Sequence, residues 1–265
     1  MKITSKLYSV LLFIALAIIC MPGFSAAEGT IYQYSIIDSL LAGNYNGELT
    51  IGNLKKYGNT GLGTFNRLDG EMVFIDGEVY KISSKGKAVK IEDTERTPFA
   101  TAAFFKTDKI IKVDSAKSLA ELNNKISSAI GSENIFYVIR IDGKFSQMRT
   151  RSIPAQTKPY VPLVKAVKKQ SIFRFKDIEG SLVGIKTPSY FKGVGVPGFH
   201  WHFITKDRTA GGHVLDCVFT DMAAKVGSYN DFFLQLPETK NFLETEFKQD
   251  KQNELKAVEK DSKKK

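Results

Sequence analysis

Cysteine, histidine and tryptophan are all scarce in these 265 residues, at two, three and one copies. Cys20 lies in an N-terminal apolar run, so a chain cleaved after that run keeps Cys217 alone. An intramolecular disulfide is thereby excluded, and a buried core must supply the stability. Cys217 alternates with Leu215 and Phe219 in a strand-like run, which marks it as apolar filler rather than nucleophile or ligand. Histidine-rich and acidic runs of the kind used for metal storage are missing too. No helix-turn-helix, finger or aromatic RNA-binding pattern accompanies the basic residues, so nucleic acid is not the expected partner.

The N-terminus reads as a secretory signal. Lys2 and Lys6 precede Val10 to Met21, and Ser25-Ala-Ala27 supplies small residues for cleavage. The apolar run is short for a membrane span of ~20 residues and is broken by Pro22 and Gly23, which argues against a retained anchor. Ile18 and Ile19 before Cys20 are not the small residues of a lipid-attachment signal. The expected product is an exported chain, periplasmic or secreted. Net charge is +10, and loss of Lys2 and Lys6 with the leader leaves +8. The excess is dispersed over small clusters such as Lys85, Lys87 and Lys90, which suits solubility and attraction of small anions.

The roughly 235 residues after residue 27 are enough for one large or two small domains. Residues 28–154 mix strands and helices. Met72 to Ile75, Asp76-Gly77 and Glu78 to Ile82 predict a hairpin, and Ile135 to Ile141, Asp142-Gly143 and Lys144 to Ile153 predict a second. Leu119, Leu122, Ile126 and Ile130 recur at helical spacing within Ser115 to Ile130, and Ile36 to Ala42 predicts a short helix. Pro154, Pro159 and Pro162 mark a boundary. Residues 155–248 then read as strand-rich and barrel-like: a short helix at Leu163 to Lys169, then strands at Ser171 to Phe175, Ser181 to Lys186, Phe199 to Thr205, Val214 to Thr220 and Asp231 to Leu236. A helix from Thr239 to about Lys248 follows. Residues 249–265 are polar and poor in apolar groups, and by composition they read as a disordered tail. The fold class expected is mixed α/β (α+β), in two domains.

All three histidines fall in Gly198-Phe-His-Trp-His-Phe-Ile-Thr-Lys-Asp-Arg-Thr-Ala-Gly-Gly-His213. On a strand His200 and His202 share a face while Trp201 takes the other. Lys206 to Gly212 reads as a hairpin loop that brings His213 beside them on the next strand. Three imidazoles with an open fourth position describe a catalytic metal site.

These residues, with Thr150-Arg-Ser-Ile-Pro154, Gly61-Leu-Gly-Thr-Phe65 and Leu68 to Tyr80, resemble the acetolactate decarboxylases. The resemblance covers nearly the whole chain after the leader. It implies a two-domain α/β fold, Zn2+ on His200, His202 and His213, a homodimer, and conversion of (S)-2-acetolactate to (R)-acetoin and CO2. It also implies that Glu71, Arg151 and Glu259 surround the metal, with Thr64 as a further substrate or water contact. Each role has a chemical reason. A zinc ion chelated by the hydroxyl and carbonyl oxygens of a 2-hydroxy-3-keto acid would stabilise the enediolate left by CO2. A guanidinium suits the substrate carboxylate. A positioned acid must protonate the carbon. Leu255 and Val258, three residues apart, are enough to dock the tail and bring Glu259 to the site.

Other readings use the same histidines. A cupin-like metal oxygenase or isomerase would place a ligating glutamate shortly after the His-x-His pair, and Phe203 to Asp207 contain none. A zinc hydrolase would use Glu71 as general base. A non-catalytic exported zinc-binding protein is the third alternative.

Overall fold

A computed structural model describes residues 29–259. The expected leader over residues 1–27 and the last six residues of the tail lie outside the described residues.

Strand β1 (Thr30–Tyr34) leads into the short helix α1 (Ile37–Leu41). The two-residue strand β2 (Leu49–Thr50), helix α2 (Ile51–Leu54), β3 (Thr60–Thr64), β4 (Glu71–Ile75), β5 (Glu78–Ile82) and β6 (Ala88–Lys90) follow. Next come β7 (Arg96–Thr97), β8 (Ala100–Ala103), β9 (Lys109–Ala116), helix α3 (Leu119–Ala129) and the long strand β10 (Phe136–Ser152). Helix α4 (Leu163–Ala166), β11 (Ser171–Thr187), β12 (Gly198–Thr205), β13 (Gly211–Tyr229), β14 (Asp231–Gln235), α5 (Lys240–Glu244) and α6 (Gln252–Glu259) complete the chain.

The strands make two large sheets. One runs β14-β1-β8-β3-β4-β5-β6 and the other β10-β11-β12-β13-β9, with β10 also hydrogen-bonded to β13. Val73, Ile75 and Ile82 of the first sheet pack on Val183 and Ile204 of the second, which seats β4 against β12. A larger cluster lies on the other side of the second sheet, where Leu122 and Ile126 of α3 meet Phe145, Trp201, Phe203 and Phe219. Ser118 caps α3 by accepting from the Glu121 amide, so the helix starts after Ser115-Ala-Lys117, the first two of which still belong to β9.

Asp76-Gly77 behaves as its chemistry demands. Both residues have positive φ, 54° and 78°, and they turn β4 into β5. Asp142-Gly143 does not. The expected second hairpin is instead one continuous strand of 17 residues, with Asp142 opposite Ser181 and Gly143 opposite Gly180. Asp142 accepts from Arg140 Nε at 2.8 Å, Ser181 Oγ at 2.8 Å and Lys225 Nζ at 3.2 Å. Bonds to both neighbouring strands keep this dipeptide extended, overriding its local turn propensity. For the same reason the strands expected at Ser171 to Phe175 and Ser181 to Lys186 are two parts of β11, paired along its length with β10. The helix expected up to Lys248 stops at Glu244.

Strand pairing also crosses the boundary expected at Pro154. β9 and β10 precede it yet belong with the histidine strands, while β14 returns to pair in parallel with β1. The tail does not hang free of the body over its described length: α6 buries Leu255 and Val258 in a cluster with α1 and α4. Among the described residues no helix is long and apolar enough to cross a membrane.

Candidate metal centre and active site

The pleat of β12 puts His200 and His202 on one face and Trp201 on the other. The indole enters the core beneath α3, donating from Nε1 to Asn123 Oδ1 at 2.8 Å. Gly184 opposite makes room, since a Cβ there would lie 2.2 Å from the indole ring. The loop after Thr205 returns the chain so that His213 sits directly across from His202. One ring nitrogen from each of the three histidines falls within 4.8 Å of the others. His200 Nε2 and His213 Nδ1 are 3.1 Å apart.

His202 has its tautomer set by the main chain. Its Nδ1 lies 2.6 Å from the Met72 carbonyl oxygen, so the proton is on Nδ1 and donates. The Nε2 lone pair then points away from that carbonyl, buried and without a hydrogen-bond partner. Burial disfavours protonation of all three rings. The pKa of His200 is pushed down to about 3, with the Arg151 charge adding to the desolvation, and those of His202 and His213 are also well below the ordinary value. Three neutral, converging imidazoles, one with an orphaned lone pair, fit a divalent ion of the zinc type.

Two carboxylates flank the triad. Glu71, the first residue of β4, places Oε2 3.6 Å from His202 Nε2. Glu259, the last residue of α6, places Oε2 3.6 Å from His213 Nε2. Burial raises the pKa of both: Glu71 is pushed up to about 7, with Arg151 pulling it down and Glu259 pushing it further up. Arg151 is itself buried and lies opposite His213 across the β10–β13 ladder. Its Nη1 donates to Gln170 Oε1 at 3.2 Å, while Nε has no partner. Thr64 faces Glu71 across β3–β4 and donates to the Gly70 carbonyl at 2.7 Å.

One cavity brings these groups together: Thr64, Glu71, Arg151, His200, His213 and Glu259 all line it. Six of the seven residues expected at the site line this cavity, and the seventh, His202, joins it through the imidazole cluster with His200 and His213. Arg149, two residues before Arg151 on β10, lies beyond a register shift between Arg149 and Thr150 and lines an adjoining groove. Cys217 is buried, and burial pushes its thiol up to about 12, the state of an inert filler. Sequence reasoning did not find Gln170, the Met72 carbonyl, or the apolar wall supplied by α1 and α4. Only the last leaves a sequence trace, as leucine and isoleucine in short helices.

Residues 31–249 match the sequence profile of the family described as alpha-acetolactate decarboxylase. The chain is 43% identical to the alpha-acetolactate decarboxylase of Methanosarcina mazei over 88% of this chain and 81% of the relative. It is also 43% identical to the Bacillus subtilis enzyme of that name, over 80% of this chain and 84% of the relative. The crystal structure of alpha-acetolactate decarboxylase from Bacillus subtilis strain 168 superposes with a TM-score of 0.85 at 39% identity, covering 88% of this chain and all of that one.

Proposed function

The chain belongs to the alpha-acetolactate decarboxylase family, and on that footing we propose that it decarboxylates acetolactate to acetoin with a zinc ion held by His200, His202 and His213. The orphaned, buried Nε2 of His202 carries this reading, because such a lone pair is costly unless an electron acceptor meets it. When bound, the ion supplies Lewis acidity for the charge that develops on the substrate's hydroxyl and keto oxygens.

The protein's own groups do the rest. The unpartnered Nε of Arg151 offers a donor to the substrate carboxylate, and Gln170 fixes the guanidinium from behind. The carboxylate must leave as CO2, so the hydrogen bond from Arg151 orients it and is given up as the C–C bond breaks. The C–C bond breaks, its electron pair remains on the former C2 as an enediolate, and a proton must then reach that carbon. Glu71 and Glu259 are the proton-holding groups within reach. Burial raises the Glu71 carboxyl to about 7 in the metal-free chain, and a cation on the imidazoles would pull it down; its position, with Oε2 3.6 Å from His202 Nε2, is what lets it pass a proton between water and that carbon. Thr64, one strand away, holds the Gly70 carbonyl and thereby the turn that launches Glu71.

In the same reading the leader over residues 1–27 exports the enzyme, and the working assembly is a homodimer. Cell fractionation and light scattering test those two points. The activity itself is tested with the purified chain from residue 28: acetoin and CO2 are measured from racemic acetolactate before and after chelation. Acetoin formation that is lost with a chelator and restored by zinc is expected. Metal-independent turnover, or zinc binding with no turnover of any 2-hydroxy-3-keto acid, would defeat the reading.

A further inference from the structure

The cavity has two unlike sides. Its polar side is the set of imidazoles, carboxylates and guanidinium already described. Its other side is apolar and comes from three short helices distant in sequence: Ile37 and Leu40 of α1, Leu163 of α4, and Val258 of α6, closed below by Leu68 and Phe99. All six are buried. They belong to one cluster that also holds Leu41, Tyr45, Ala166 and Leu255, so the wall is backed by packed side chains rather than by solvent.

This wall offers no hydrogen bond from its side chains and is too well supported to yield cheaply. A ligand whose oxygens face the histidines, Glu71 and Arg151 must turn its hydrocarbon toward the helices. We propose that Leu40 and Leu163 are specificity-determining residues, which set how long an alkyl substituent the enzyme accepts on a 2-hydroxy-3-keto acid. The inference rests on the proposed decarboxylase reading for the placement of the oxygens. Leu40 comes from the helix after β1 and Leu163 from the helix after the Pro154 to Pro162 crossover, so each can be shortened without touching the strands that hold the imidazoles. Truncating either opens space at the alkyl end of the cavity and leaves the polar end unchanged.

The experiment compares kcat/KM for acetolactate with that for its 2-ethyl and 2-propyl homologues, in the wild-type chain, Leu40→Ala and Leu163→Ala. The milder Leu40→Val and Leu163→Val cover the case in which an alanine variant fails to fold. Leu243→Ala, at a 70% exposed position on α5, is the control. The wild-type enzyme is expected to favour the methyl compound, and each wall variant to shift the propyl-to-methyl ratio upward by about tenfold, the discrimination a pocket makes per methylene. Leu243→Ala should leave the ratio unchanged. A wall that serves only to hold the fold would lower all three rates together, and an unmoved ratio in folded variants overturns the proposal. A second readout does not need turnover: calorimetry of the zinc-loaded proteins with 2,3-dihydroxy-2-methylbutanoate and its 2-propyl analogue should show the same shift in relative affinity. Equal relative affinities in wild type and variants likewise overturn it. An inactive wild-type enzyme whose variants still shift the binding ratio would count against the decarboxylase reading and not against the wall.

Discussion

His202 donates its Nδ1 proton to the main-chain oxygen of Met72 at 2.6 Å, which ties an imidazole of β12 to the strand that begins with Glu71. The seam between the two sheets thus fixes, in one contact, which nitrogen of His202 is free and how far the neighbouring carboxyl stands from it. A backbone acceptor on a metal-ligating histidine is a common way of setting tautomer and ring orientation.

Glu71→Gln keeps the size and the strand position while removing the titrating proton. We expect one zinc per chain to be retained and kcat to fall by about a hundredfold or more, the range for loss of a general acid. Elemental analysis alongside initial rates checks this; wild-type kcat in the glutamine variant would take Glu71 out of proton transfer.

Arg151→Lys keeps one positive charge but loses the planar fork and the Gln170 contact. Loss of a charge-assisted bond of about 1.5–3 kcal/mol predicts a ten- to hundredfold fall in kcat/KM. A lysine variant with unchanged kcat/KM would show that charge alone suffices at this position.

A stop after Phe247 removes α6 and with it Glu259, Leu255 and Val258. Turnover should be abolished while zinc remains bound, because none of the three histidines lies on that segment. The melting temperature should also drop, since two buried side chains each contribute about 1.5–3 kcal/mol. Full activity in the truncated chain would remove the tail from the site.

The metal-free protein should lose stability in acid through its imidazoles. Their folded pKa values lie below the unfolded value of about 6.5, so the unfolded chain alone takes up protons as pH falls through 6.5. Glu71 acts in the opposite sense: its folded pKa is raised, and it adds stability as pH falls through about 7. The contribution of one imidazole is isolated by comparing metal-free wild type with His213→Asn. Wild type should lose ground to the variant by up to about 1.4 kcal/mol per pH unit below 6.5 in denaturant titrations. A gap that stays constant between pH 7 and 5 would mean that the His213 ring takes up its proton as readily in the fold as in the unfolded chain.

The histidine cluster was legible in the sequence because its information is local: alternation on β12, a short polar loop, and a third ring opening β13. Asp76-Gly77 was legible for the same reason. Asp142-Gly143 misled because the same dipeptide is held extended by Ser181 and Lys225, from strands that local reading cannot see. Glu71 and Arg151 were reached through family resemblance, since nothing local separates them from surface charges. Met72 could not be found at all: it acts through a carbonyl oxygen, which every residue possesses. The apolar wall was hidden by its origin in three separate helices, brought together only when the core closes.

If one zinc ion held by the three imidazoles carries the proposed catalysis, activity must follow zinc occupancy. The most direct measurement titrates zinc into chelator-treated protein while acetoin formation from acetolactate is followed, for wild type and for His202→Ala. Wild-type activity is expected to rise linearly and saturate at one equivalent, and the alanine variant to gain neither tightly bound zinc nor activity. Acetoin formation by His202→Ala at the wild-type rate, or by wild type without any divalent metal, would contradict it.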